Sequence, residues 1–141
     1  MDIFNFEKGD WFKERHRLKP IIDKYALKFN SIRLYENINK ACSNEWAFLF
    51  LSGNSFFFIQ PKSNKGITYL SIPFAFGMEN NVIAKYQPSI EKLSTLIDAQ
   101  YLEFETPRKA WNKVAPKFGW EDCGINDNFT IWRHFLGKSN E

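Results

Sequence analysis

The chain is poor in cysteine: Cys42 and Cys123 stand far apart in 141 residues, with no CxxC pair and no histidine-rich tract. That spacing rules out a disulfide framework or a thiolate metal site, and both residues read as free thiols in a reducing compartment. Histidine is scarce as well, with two residues, and no Ser-His-Asp or metal-ligand constellation has credible spacing. No stretch approaches the roughly 18 consecutive apolar residues that a membrane span requires. The opening decapeptide MDIFNFEKGD is acidic and polar instead of basic and then apolar, so it does not read as a secretory signal. The expectation is a soluble, cytoplasmic protein with no membrane partner. Internal repeats and low-complexity linkers are absent too, and residues 1–141 read as a single domain. An excess of one charge sign is also missing. Nineteen Lys and Arg against sixteen Asp and Glu leave a net charge of +3. This disfavours nucleic acid as a partner unless the charge is gathered on one face. The one dense basic stretch, Lys13, Arg15, Arg17 and Lys19 around His16, reads as the solvated side of a helix.

The chain is rich in aromatics. They make up 18% of it, fifteen of them Phe, and 44% of residues are hydrophobic. A chain of this length buries about 70% of its unfolded surface, so it holds a real core.

Periodicity then divides the chain. Ile3 to Phe6 reads as a short strand. Asp10 is an N-cap before WFKERHRL, and Pro20, which lacks a backbone donor, is expected to interrupt or restart that helix as PIIDKYALKF. Ser31 to Asn44 reads as a polar connection. Trp46 to Leu51 and Ser55 to Ile59 are strands joined by the hairpin turn SGNS, Pro61 to Gly66 is a second turn, and Ile67 to Phe76 is a third strand. These runs are continuous instead of alternating, which predicts a sheet covered on both faces. Pro88 opens a helix that buries Ile90, Leu93, Leu96 and Ile97. A strand at Tyr101 to Glu105, a helix from Pro107 and a strand at Phe129 to Leu136 complete an α/β order: β, α, α, three β, α, β, α, β.

This order, with the helix ending Phe118-Gly119-Trp120, resembles the GNAT acyl-CoA N-acyltransferase superfamily. The resemblance implies a mixed, mostly antiparallel central sheet flanked by helices, with two strands that splay apart to admit acyl-CoA. It also implies a loop of the form Arg/Gln-x-x-Gly-x-Gly/Ala, whose amides hold the CoA pyrophosphate at a helix N-terminus. The corresponding region here, SIPFAFGMENNVIAKYQPSIEK, contains Gly77 alone and carries the acidic Glu79; Phe76, Gly77 and Lys85 are the residues left to contact a cofactor. The family commonly places a proton-donating Tyr four residues before the glycine of its Gly-aromatic pair. Here that position is Ala115, followed by Pro116, leaving Tyr86 or Tyr101 as substitutes. Small size, a missing phosphate loop and a missing Tyr also resemble the GNAT-like virion or assembly proteins of some short-tailed phages, which would act in the host cytoplasm or the virion.

Two functions stay open. In one, acetyl-CoA is the cofactor and Glu103 or Glu105, alternating onto one strand face, takes a proton from an amine acceptor. The same two residues would also simply face solvent or pair with Arg133 or with Lys residues on a neighbouring strand. In the other, there is no cofactor, and the fold is a platform for a protein partner or for self-association, with Trp11, Phe12, Phe74, Phe76 and Trp120 at the contact surface. His134, two residues after Trp132 on the same strand side, reads as structural.

Overall fold

A computed structural model describes residues 6–77 and 82–136. In chain order it contains β1 (Glu7–Lys8), α1 (Trp11–Lys28), α2 (Leu34–Ser43), β2 (Phe48–Ser52), β3 (Ser55–Asn64), β4 (Ile67–Ser71), β5 (Ala75–Phe76), α3 (Val82–Leu96), β6 (Tyr101–Thr106), α4 (Trp111–Val114), a 3-10 turn (Ala115–Phe118), β7 (Glu121–Asn126) and β8 (Phe129–Phe135). Eight strands form one open sheet in the order β1-β2-β3-β4-β6-β8-β7, with β5 paired to β3. Every pairing is antiparallel except that of β4 with β6.

The two-sided sheet follows from β3. Its side chains alternate between faces, as any pleated strand requires, yet Ser55 through Ile59 are all buried. Phe56 and Phe58 pack with Trp11, Leu18 and Ile22 of α1 and Ile38 of α2. Phe57 and Ile59 pack on the opposite face with Tyr86 and Ile90 of α3, Leu70, Leu102 and Trp132. The hairpin between β2 and β3 closes on Gly53 at φ +59, a left-handed position that glycine adopts at little steric cost.

Several boundaries differ from those expected. Asp10 caps α1 by accepting from Phe12 N–H at 3.1 Å, but the helix runs unbroken through Pro20. Pro20 lies on the exposed side, while Leu18, Ile22 and Ala26 carry one buried face straight past it. Packing of that face outweighs the lost backbone bond. The two expected helices are therefore one, and the second helix of the fold, α2, lies in the stretch taken for a polar connection. Its buried residues Ile38, Ala41 and Cys42 follow Leu34 at helical spacing, a stripe hidden among Asn, Lys and Glu. The predicted turn at Pro61 is strand: β3 continues to Asn64 and turns at Lys65 (φ +53) and Gly66 (φ +82). Pro61 is tolerated because β2 pairs no further than Ile59, leaving one side of the strand unpaired at that point.

Likewise α3 begins six residues before Pro88 and presents Tyr86, Ser89, Ile90 and Ser94 to the sheet, so Leu96 (75% exposed) and Ile97 face outward. The helix expected from Pro107 is the short α4 and its 3-10 turn, with Pro116 in the turn. Strand β7 was not anticipated; it is a sheet edge exposed along nearly its whole length and therefore shows no apolar alternation. The expected strand at Ile3 to Phe6 falls largely outside the described residues, among which the first strand is Glu7–Lys8.

The sheet opens between β4 and β6. They pair in parallel only at Leu70 with Leu102 and Ser71 with Glu103. Ile72 N–H donates to Glu103 O at 2.8 Å, and the two strands then part. Past Pro73 the chain turns back onto β3, where Phe58 N–H donates to Phe74 O, whereas β6 continues along β8 to Thr106.

Because Pro20 is held in α1 by packing alone, Pro20→Ala is expected to restore a backbone bond and stabilise the fold by about 1–3 kcal/mol. Chemical denaturation checks this, and an unchanged or lower midpoint would show that α1 is already relaxed around the proline.

Candidate functional site

Where β4 and β6 part, a cavity of about 350 Å³ lies between α2 and the sheet. Its apolar floor includes Leu34, Ile38, Phe58 and Phe104, and its polar rim is Asn37, Gln60, Lys62, Ser71, Glu103 and Glu105. Alternation along β6 brings Glu103 and Glu105 to the same side, as the sequence suggests. Their surroundings differ. Glu103 Oε1 accepts from Arg133 Nε at 2.7 Å, directly across the β6–β8 pair. The Arg133 guanidinium also lies 4.9 Å above the Tyr101 ring, which stacks on Tyr69 at 4.8 Å. Hydrogen bonding to Glu103 pushes the Arg133 pKa up. Glu103 is thus a structural counter-ion.

Glu105 makes no ion pair among the described residues. Its side chain is exposed, and the part withdrawn from water pushes its carboxyl up from the ordinary carboxylate value; the neighbouring Glu103 charge adds to that, while Lys62 and Arg133 work against it. A carboxylate with raised proton affinity, at the rim of a cavity, is what a proton acceptor needs. Of the two candidate bases, the structure leaves Glu105 available.

The opposite side of the opening is closed. Ala115 is 0% exposed, in one cluster with Leu70, Leu102, Trp120 and Trp132. The 3-10 turn ends at Gly119, in the left-handed region at φ +88, and Trp120 N–H returns to Ala115 O at 3.2 Å. A chain of polar contacts locks this turn to α3. Trp120 Nε1 donates to Gln87 Oε1 at 3.0 Å, and Gln87 Nε2 donates to Phe118 O and to Glu91 Oε2. His134 completes it, with Nδ1 3.0 Å from Gly119 O and Nε2 3.2 Å from Glu91 Oε2. Both ring nitrogens are engaged, so His134 is a clamp, as its position on β8 suggests. Gln87 is the member of this network that sequence reasoning missed; its signal is a helical spacing of four from Glu91.

The two substitute tyrosines are committed elsewhere. Tyr86 is buried on the α3 face, its ring 5.5 Å from Phe57, across the sheet from the carboxylates. Tyr101 shares the carboxylate face but is stacked on Tyr69, with Phe135 tilted against its other side. Of the cofactor candidates, Phe76 is half-buried against Phe56 and Gly77 is exposed. Glu79 and the Lys85 side chain lie outside the described residues.

The five-residue aromatic surface does not form. Trp11 and Phe74 are buried in the α1/α2 core, Trp120 is buried in the α3 core and Phe76 is half-buried; Phe12 alone of the five is exposed, at 57%. A sheet with two roofs needs two cores, and these side chains fill them. Among the described residues there is no group of three or more His, Cys, Asp or Glu arranged to hold a metal, and no helix long and apolar enough to cross a membrane.

Two outcomes follow from this geometry. A Cβ at Gly119 would sit 2.9 Å from His134 Cε1 at a positive φ, whereas one at Gly124 (φ +116) would meet nothing within 4 Å. Gly119→Ala is therefore expected to cost about 2–3 kcal/mol and Gly124→Ala about 1 kcal/mol, with His134→Ala relieving part of the former in a double-mutant cycle. Equal costs at both glycines would remove the contact from the explanation. For Glu105, a folded pKa above the unfolded value means that protonation favours the fold. The penalty is absent at low pH and grows as pH rises from the unfolded value through the folded one. Glu105→Gln should raise the thermal midpoint at pH 7, with the gain shrinking toward pH 4; a gain independent of pH would show that the carboxylate charge is not its source.

No protein-family model matches the chain, and no curated protein does. Among solved structures, the crystal structure of a Staphylococcus aureus Mu50 protein assigned by name as an acetyltransferase aligns with a TM-score of 0.59 over 94% of this chain and 99% of that chain. At 11% identity the likeness is one of fold, and together with the open sheet and its parting strands it gives this chain a GNAT-like architecture.

Proposed function

We propose that this chain uses a GNAT-like fold as a partner-binding or structural platform and does not transfer acyl groups. The observation that carries the reading is Ala115. At the place where the family resemblance puts a proton-donating phenol, the chain has a methyl group sealed among Leu70, Leu102 and Trp132. No donor stands there, and no space is open for one. The single glycine of the Phe76-Gly77 region, in place of a glycine-rich phosphate loop, supports the same reading. The resemblance to virion and assembly proteins of short-tailed phages would make this chain such a protein, bound to a protein partner or to copies of itself in a host cytoplasm or in the particle. Titration with acetyl-CoA tests the reading. No saturable binding is expected up to about 1 mM, equivalent to about −4 kcal/mol. Saturation below that concentration would overturn the proposal.

One observation favours a second reading, an acetyl-CoA-dependent N-acetyltransferase acting on an amine. It is the cavity beside the strand opening, with the raised carboxyl of Glu105 on its rim. In that reaction the amine nitrogen attacks the thioester carbonyl, Glu105 takes the amine proton, and the tetrahedral intermediate collapses to amide and CoA thiolate, which draws its proton from water. Glu105→Gln would then lower turnover by about 10²–10⁴ and abolish the acidic limb of the pH profile, which lies above the ordinary carboxylate range. Ala115→Tyr would change turnover less, because its site is sealed. Unchanged turnover in the Gln variant would exclude Glu105 from the chemistry.

A further inference from the structure

The unbroken α1 gathers the positive charge of the chain onto one surface. Six cationic side chains and two acidic ones lie between Trp11 and Lys28, a net +4, against +3 for all 141 residues. The remainder of the molecule is slightly acidic. Buried Trp11, Leu18, Ile22 and Ala26 fix which side of the helix faces the core. On the other side, Lys13, Arg17, Lys24 and Lys28 are all exposed and recur at intervals of four, seven and four, one stripe about 22 Å long at 1.5 Å per residue. Had Pro20 broken the helix, the two halves of this stripe would not align.

The acids on α1 engage only one member of the stripe, Arg17. Glu14 is held by Arg17 at 2.7 Å and Asp23 by Lys19 at 2.6 Å. Among the described residues, Lys13, Lys24 and Lys28 have no ion-pair partner. Arg108 extends the positive surface at the C-terminal end, its guanidinium 5.7 Å from the Phe29 ring and 6.0 Å from the Tyr25 ring. Two large apolar side chains flank the charges, Phe12 at 57% exposure and Leu27 at 83%.

We infer that the outer face of α1 docks an acidic protein surface, one that sets carboxylates against Lys13, Arg17, Lys24 and Lys28 and gives Phe12 and Leu27 apolar contacts. The apolar flanks favour a protein over a phosphate backbone, which offers them nothing to pack against. The inference rests on the binding-platform reading and names the surface and partner chemistry for it.

Fluorescence anisotropy with labelled poly-L-glutamate and with a mixed-sequence DNA duplex of matched charge tests it on the full chain. Two triple variants of equal net charge are compared, Lys13→Glu/Lys24→Glu/Lys28→Glu on α1 and Lys65→Glu/Lys113→Glu/Lys117→Glu elsewhere, each verified as folded by circular dichroism. The expected result is binding of poly-L-glutamate by the wild-type chain, tighter than binding of the duplex, and a loss of ~tenfold or more in the α1 variant alone. No binding by the wild-type chain, or equal losses in both variants, would overturn the inference. Tighter binding of the duplex would overturn it in favour of nucleic acid. Acetyl-CoA binding sinks the platform reading whatever α1 does; failure at α1 with no acetyl-CoA binding leaves the platform and moves its contact surface elsewhere.

Discussion

A strand that buries five consecutive side chains forces the rest of this molecule. Ser55 through Ile59 project alternately to the two faces of β3, and all five are withdrawn from water. A sheet roofed on one side would expose Phe57 and Ile59, or Phe56 and Phe58, and each large apolar side chain left in water forfeits about 1.5–3 kcal/mol. Helices α1 and α2 therefore close one face, and α3 with the Ala115–Phe118 turn closes the other. The aromatic surplus of the sequence is the material of two cores in a short chain. This is why residues such as Trp11, Phe74 and Trp120, which look like interface anchors in composition, are interior.

The same constraint explains where the molecule is open. The roof of α1 and α2 covers β2, β3 and β5, and at Pro73 the chain leaves β4 to return along β3. Beyond that point the roof no longer packs onto the carboxylate face of β6 and β8, and the cavity lies between α2 and that face. A face not packed under a helix must satisfy its own polar groups, and here it does so across strands, with Glu103 bound to Arg133, the Tyr69 and Tyr101 rings stacked and Phe135 tilted against Tyr101. Glu105, one residue pair further out, has no cation across from it, since its partner on β8 is Ile131. The contrast between the two carboxylates is a matter of register: equivalent in spacing, they differ because one faces Arg and the other faces Ile.

Legibility from sequence tracked burial contrast. The strands of β2, β3, β6 and β8 were readable because their apolar runs are dense, and the two-sided sheet was readable because those runs are continuous; the run Ile67 to Phe76, expected as one strand, is β4 and β5 with a break at residues 72–74. β7 was invisible because an exposed edge has no apolar face to alternate, although Asp127 and Asn128, both at positive φ, mark the turn that makes it a hairpin. α2 was hidden by Asn and Lys between its apolar positions. The prolines misled in one direction: Pro20, Pro61 and Pro88 each suggested a boundary, and each sits inside an element where the missing donor meets water or an unpaired side of a strand. The Glu103–Arg133 pair was foreseen as one possibility for either carboxylate, but no spacing rule assigns a partner across a sheet whose register is set by the fold.

Gly119 shows that a motif residue can be demanded by the fold alone. The Phe118-Gly119-Trp120 ending that makes the sequence resemble acyltransferases is required here by reasons that involve no substrate. The left-handed φ ends the 3-10 turn, the missing Cβ admits His134, and the Gly119 carbonyl together with Trp120 ties the turn to Gln87, Glu91 and α3. Any sequence that roofs the second core in this way keeps the motif, whether or not a thioester is ever bound. Position 115, four residues earlier, is under no such demand for a phenol. Packing asks only for a side chain small enough to lie beneath Trp120 and against Leu70 and Leu102, and alanine meets it. A residue that shapes the backbone is therefore demanded by the architecture whatever chemistry the molecule performs, whereas a proton donor is demanded only by a reaction.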